Sequence, residues 1–151
     1  MIPEQTQALI TRWRLGHIAT VTPGGRPSVS PKGTFLVVDD TTIAFGEIRS
    51  PQTVSNLTHN PECEVNFVDA FTRKGARLRG TAQMVRPGTT EFDALMPRFR
   101  ELWGELCDRM NLIVKINVTQ VKPLTTPPYD TGATEAQMIA LYKAKFAEFY
   151  P

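Results

Sequence analysis

Apolar positions along this chain change their spacing several times, and each change marks an expected element. Thr6, Leu9, Ile10 and Trp13 recur at helical intervals after Pro3 and stop at Gly16, which predicts a leading helix. His17–Val21 and Ser28–Val38 are β-rich runs on either side of the turn cluster Pro23-Gly24-Gly25-Arg26-Pro27, the pattern of a hairpin. Asp39-Asp40 makes the next turn and Thr42–Phe45 a third strand. Ser50 then fits an N-cap and Pro51 the first helical position, where the N–H that proline lacks would be unpaired anyway, so a short helix should run to Asn60-Pro61.

The second half continues in the same way. Cys63–Val68 and Ala76–Val85 read as antiparallel neighbours joined by the tip Phe71-Thr72-Arg73-Lys74-Gly75. Phe92, Leu95, Met96, Phe99, Leu102, Trp103 and Leu106 keep the spacing of one amphipathic helix from Glu91 to Asp108, with Pro97 kinking it or lying in its first turn. Leu112–Val121 alternates apolar and polar positions as a sixth strand. After the prolines at 123, 127 and 128, Thr134-x-x-Gln137 is a capping box for a last helix with Ile139, Tyr142, Phe146 and Phe149 on one face. Six short strands with helices inserted between hairpins do not follow the βαβ alternation of a doubly wound fold, so the expectation is a mainly β (α+β) chain built on an antiparallel barrel.

Composition narrows the classes of function. A chain of 151 residues suits one domain, 1–151, with 132–151 as a C-terminal helical extension. Its apolar fraction of 41%, with 10 glycines, supplies a core and excludes global disorder. A net charge of +2, spread along the chain, makes no basic stripe and predicts no nucleic-acid partner. No apolar run approaches the ~18 to 20 residues of a membrane helix, and Met1-Ile2-Pro3-Glu4-Gln5 lacks the pattern of a secretory signal. Cys63 and Cys107 are far apart and fit buried thiols in a cytoplasmic protein; His17 and His59 are equally isolated and fit structural roles.

The sequence has no GxSxG, HExxH, GxGxxG after a strand or Walker loop, which argues against a self-contained hydrolase. It does place Lys32 and Arg49 around the start of the helix that begins at Pro51, beside Ser50, Gln52 and Thr53. Unpaired N–H groups, hydroxyls and two cations suit a phosphate. The same residues also suit a capped helix beside exposed charges.

Gly16-His17-Ile18-Ala19-Thr20-Val21 followed by Gly25-Arg26-Pro27-Ser28-Val29-Ser30-Pro31-Lys32-Gly33 resembles the opening strands of the pyridoxamine 5′-phosphate oxidase-like family of FMN-binding split barrels. Ile43–Leu57 with Asn60-Pro61 resembles that family's phosphate-site strand and helix, and Arg77-Leu78-Arg79-Gly80-Thr81-Ala82 its next strand, so the likeness spans roughly residues 3 to 121. The resemblance implies a six-stranded antiparallel split β-barrel with N-terminal, interstitial and C-terminal helices. It also implies a homodimer holding FMN in clefts between subunits, acting as an oxidoreductase on a small molecule. Val29, Ser30, Pro31 and Lys32 would line the isoalloxazine and ribityl side, and Glu47, Ile48, Arg49, Ser50, Gln52 and Thr53 the phosphate.

Two departures qualify the likeness. Gln52-Thr53 stands where many members carry a Lys or Arg, which removes one charge partner of the phosphate. The C-terminal Trp- and Arg-containing segment that closes the vitamin oxidases' site is replaced here by Lys145-Phe146-Ala147-Glu148-Phe149-Tyr150-Pro151, so oxidation of pyridoxamine 5′-phosphate is not expected. Trp103 reads as a core residue and Tyr129-Asp130 as a surface turn. Rival readings are an F420-dependent reductase on the same fold, a flavin carrier or electron-transfer protein without its own substrate, and a plain barrel binding module.

Overall fold

The computed structural model describes residues 1–151. Helix α1 (Glu4–Trp13) leads into strands β1 (Gly16–Val21), β2 (Pro27–Lys32), β3 (Phe35–Val37) and β4 (Thr42–Glu47). Helix α2 (Pro51–His59), strands β5 (Glu62–Val68) and β6 (Gly75–Val85), helix α3 (Thr90–Trp103), strand β7 (Leu112–Leu124) and helix α4 (Glu135–Phe149) follow. Short 3-10 turns at Gly104–Arg109 and Pro127–Thr131 flank β7.

All strand pairings are antiparallel, and they form one sheet in the order β2-β1-β5-β6-β7-β4-β3. Its two margins, β2 and β3, are consecutive in the chain with only Gly33 and Thr34 between them. One run of sequence therefore pairs with β1 in its first half and with β4 in its second, which curls the sheet into a split barrel. The strand count is seven rather than the expected six because the run Ser28–Val38 is broken at this point. At the break the Thr34 hydroxyl donates to the Gly46 carbonyl at 3.0 Å and accepts the Gly46 N–H at 3.1 Å. A side chain thus pairs main-chain groups that a continuous strand would have paired.

The barrel interior is filled by the inward positions of the strands, among them Ile18, Phe35, Ile43, Phe45, Val65, Phe67, Leu78 and Ile116. The Phe35 ring packs 5.1 Å from that of Phe45 and 5.0 Å from that of Phe67, at the centroid distances aromatic pairs prefer. A second apolar cluster under α3 joins Leu95, Phe99, Cys107 and Met110 to Leu36, Ala44 and Ile113. Arg98 of α3 donates to the carbonyls of Val37 and Val38 at 2.6 and 2.8 Å, which covers part of the exposed margin at β3. The other margin, β2, contains Pro27 and Pro31, residues that edge strands tolerate.

Several local expectations are refined. The helix expected to reach Asp108 ends at Trp103, because Gly104 takes φ +53° and the chain tightens into a 3-10 turn. Pro97 lies in the interior of α3, beyond its first turn. Ser50 occupies the N-cap position of α2, but its side chain makes no capping bond there. The capping box of Thr134 and Gln137 is formed in both directions. Met138, Tyr142 and Phe146 turn toward the body of the protein, whereas Phe149, expected on the same face, lies past the barrel and is 73% exposed. Cys63 and Cys107 are free and buried, and burial beside Glu62 and Glu64 pushes the Cys63 thiol up to about 12. No helix is long and apolar enough to cross a membrane.

Candidate functional site

The break between β2 and β3 opens a cavity of about 350 Å³, lined by Pro31, Lys32, Gly33, Thr34, Gly46, Ile48, Arg49, Ser50, Leu106 and Arg109. Three structural units meet there: the end of β2, the turn from β4 into α2, and the 3-10 turn before β7. Gly46 lies in this wall, and a Cβ at that position would come within 2.3 Å of the Met110 sulfur on the buried side. Absence of a side chain lets Met110 pack across β4.

Of the ten residues expected at a flavin site, Pro31, Lys32, Ile48, Arg49 and Ser50 line the cavity. Lys32 is only 8% exposed; its Nζ donates to the Ser30 hydroxyl at 2.5 Å. Burial lowers the Lys32 pKa, and the negative charge of Glu47 offsets part of that shift. Ser30 therefore acts from behind, holding the ammonium. Arg49 is exposed and Arg109 is exposed, and neither takes part in the chain's ion pairs.

The other expected residues occupy supporting positions. Glu47 is 4% exposed, and its carboxylate is occupied by the N–H and hydroxyl of Ser50 at 2.6 and 3.2 Å and by the Asn111 side-chain amide at 3.1 Å. It fixes the β4–α2 turn. Gln52 donates to Asn56 at 2.6 Å, and Asn56 donates to Thr20 at 3.0 Å, which ties α2 to β1. Thr53 is 3% exposed beneath the helix. Val29 points to the outer face of the hairpin and is 65% exposed, so it does not meet Lys32 within one chain.

Sequence reasoning missed Gly33, Thr34, Gly46, Leu106 and Arg109. Gly33-Thr34 carried a signal, a glycine followed by a small polar residue inside a β-rich run. Arg109 carried none, because only the tertiary fold brings the turn before β7 to the break in the margin strand. Trp103 packs against Phe99 at 5.7 Å and under the Arg14 guanidinium, as a core residue should.

Tyr129 belongs elsewhere, to a second cavity of about 520 Å³ between α1, the β5–β6 tip and the turn before α4. Its hydroxyl donates to the Thr72 carbonyl at 2.6 Å. The charges of this larger cavity face one another: Arg12 lies 3.8 Å from Asp69, and Lys74 lies 2.9 Å from Glu135. Burial pushes the Asp69 carboxyl up, but the backbone N–H groups of Thr72 and Phe71 outweigh it and hold the pKa below the ordinary value.

Residues 2–126 match the family model described as pyridoxamine 5′-phosphate oxidase. The chain belongs to that family. Among solved structures of this oxidase-like fold, HupZ of Group A Streptococcus is 28% identical with a TM-score of 0.72, covering 83% of this chain and 96% of that one. An FMN-binding protein from Syntrophomonas wolfei subsp. wolfei is 13% identical with a TM-score of 0.68, over 82% of this chain and 86% of its own. HutZ, the heme storage protein from Vibrio cholerae, is 20% identical with a TM-score of 0.68, over 81% and 94%. The latter two share the fold, and their different ligands show that the fold alone does not choose one. No curated protein matches the chain.

Proposed function

We propose that this oxidase-family chain is an FMN-binding flavoprotein, an oxidoreductase that moves hydride or electrons to or from a small molecule. The observation that carries the reading is the cavity at the strand break, which Lys32, Arg49 and Arg109 all line and where none of the three makes a salt bridge. This donor set fits a phosphate monoester. When bound, FMN supplies the redox chemistry, and the protein supplies position and electrostatics. Lys32 and Arg49 hold the phosphate end, with Pro31 and Ile48 as apolar walls, while Ser50, whose N–H and hydroxyl both donate to Glu47, fixes the turn that carries Arg49. Ser30, Glu47, Gln52 and Thr53 hold those residues in place, and Val29 meets a flavin across a subunit boundary.

A homodimer forms part of the same reading. Ligand pockets usually span about 300–1,000 Å³ and bury most of their ligand. One chain's cavity of about 350 Å³ is at the low end of that range and too small to enclose the isoalloxazine as well. The outer face of the β1–β2 hairpin, with Val21 opposite Pro27 and Ala19 opposite Val29, offers an apolar surface for a second copy. The unit is the single domain 1–151, with 132–151 as its helical extension, and two free buried thiols suit a reducing cytoplasm.

Heme is a rival ligand, because the heme storage protein HutZ shares the fold. A deazaflavin of the F420 type is another. The absorption spectrum of protein purified with its ligand decides among these: an FMN spectrum with a dimer by light scattering is expected. A Soret band, a deazaflavin spectrum, or a flavin-loaded monomer of 16.9 kDa overturns the corresponding part of the proposal.

A further inference from the structure

The 3-10 turn before β7 is anchored at its C-terminal end. Cys107 and Met110 are buried in the cluster under α3, and the Met110 N–H donates to the Cys107 carbonyl at 3.1 Å. Asp108 between them pairs with Arg100 of α3 at 2.9 Å. Asn111 then reaches the other wall of the cavity. Its N–H donates to the Glu47 carbonyl at 2.8 Å, and its side-chain amide donates to the Glu47 carboxylate at 3.1 Å and the Ile48 carbonyl at 2.9 Å. The turn carrying Arg109 and the turn carrying Arg49 are therefore bonded into one frame, and both arginines line the cavity.

Two acids of this frame already have partners. Asp108 is held by Arg100, and the Glu47 carboxylate is filled by Ser50 and Asn111. Like charges held together repel, more strongly as the surroundings become less polar, and the negative charge of Glu47 offsets part of this at Lys32. A frame that fixes the turns carrying two arginines, beside a buried lysine, around one opening is suited to an anion bearing more than one charge. Arginine's planar fork matches two oxygens of a phosphate at once, which an ammonium does not.

We infer that Arg109 is the second guanidinium of the phosphate site. It supplies from the turn before β7 the positive charge that Gln52-Thr53 do not supply at the start of α2. The chemical class recognised is a phosphate monoester dianion, gripped by Arg49 and Arg109 from two sides with Lys32 behind. This rests on the flavin reading for the identity of the natural ligand, but the charge arrangement itself does not.

The test titrates wild type, Arg109→Gln, Arg109→Lys and Arg49→Ala with FMN and with riboflavin, and separately follows the arginine Nε–H resonances of labelled wild type during titration with inorganic phosphate. Hydrogen bonds to charged groups are strong enough that losing one costs about tenfold or more in affinity. Arg109→Gln should cut the preference for FMN over riboflavin by about tenfold while riboflavin affinity holds, with partial recovery in Arg109→Lys. Because Arg109 is exposed, its variants should unfold at the wild-type temperature. If wild type prefers FMN and Arg49→Ala erodes that preference while Arg109→Gln leaves it intact, the role of Arg109 is refuted and the flavin reading stands. If neither flavin binds but inorganic phosphate shifts the Arg49 and Arg109 resonances together, the flavin reading falls and the role of Arg109 stands. Absence of both responses refutes both.

Discussion

The two cavities lie at opposite ends of β7, and they differ more in how their charges are satisfied than in how they are shaped. The larger one, about 520 Å³, pairs Arg12 with Asp69 and Lys74 with Glu135, so its own side chains cancel its field. The smaller, about 350 Å³, is lined by three cations that make no salt bridge, and the nearby Glu47 and Asp108 are bonded to Ser50 and Arg100. Exposed ion pairs add little stability, but they remove the potential that would attract an ion. Volume alone would direct attention to the wrong end of the barrel for an anionic ligand.

The sharpest way to break this comparison is to remove one arginine from each end. Arg49→Ala should weaken FMN by about tenfold to a hundredfold relative to riboflavin, whereas Arg12→Ala should change neither affinity. Equal effects on fluorescence titration would abolish the distinction between the cavities. A glycine from each end gives the next largest effect. A Cβ at Gly75 would lie 2.2 Å from the Phe67 carbonyl oxygen, a backbone atom, whereas one at Gly46 meets the flexible end of Met110 at 2.3 Å. Gly75→Ala should therefore destabilise by about 1–3 kcal/mol. Gly46→Ala should cost less stability, because the Met110 thioether can shift, and should leave both flavin affinities nearly unchanged; denaturant midpoints and titrations check the two outcomes.

A smaller effect should appear on alkaline titration. Burial lowers the Lys32 pKa, so its ammonium is lost at a lower pH than that of an ordinary lysine. Positive charge leaves the site as pH rises through that lowered value. The FMN preference should decline there and reach a residual level set by the arginines, which stay charged. In Lys32→Met the preference should start lower and stay flat over the same range. The smallest change is expected from Thr53→Ala, because Thr53 lies on the buried face of α2 and off the cavity wall. The FMN-to-riboflavin ratio should shift in the same direction as for Arg49→Ala, but less.

Sequence periodicity was sufficient for most of the barrel because hairpin turns and period-2 alternation are local. It could not reveal the break in the margin strand. Ser28, Ser30, Lys32 and Thr34 continue the inward alternation straight through Gly33, so the pattern looks unbroken while the pairing partner changes from β1 to β4. The end of α3 was hidden for a similar reason: Leu106 keeps the helical spacing of Phe99 and Trp103, although Gly104 has already ended the helix. Half of the expected site was legible because Lys32, Arg49 and Ser50 flank a recognisable strand-to-helix turn. Glu47 and Thr53 were legible as neighbours, but their burial depends on Asn111 and on the barrel wall, which are distant in sequence.

The hydroxyl of Thr34 works as a lock stitch. One length of chain is sewn to both margins of a curled sheet, and at the point where the thread crosses over, a single oxygen carries the join in both directions. Shape therefore matters less at this position than the ability to give and receive a proton at once. Serine keeps the stitch and valine, though almost the same size as threonine, drops it, leaving the N–H and carbonyl of Gly46 buried without a partner at the edge of the smaller cavity.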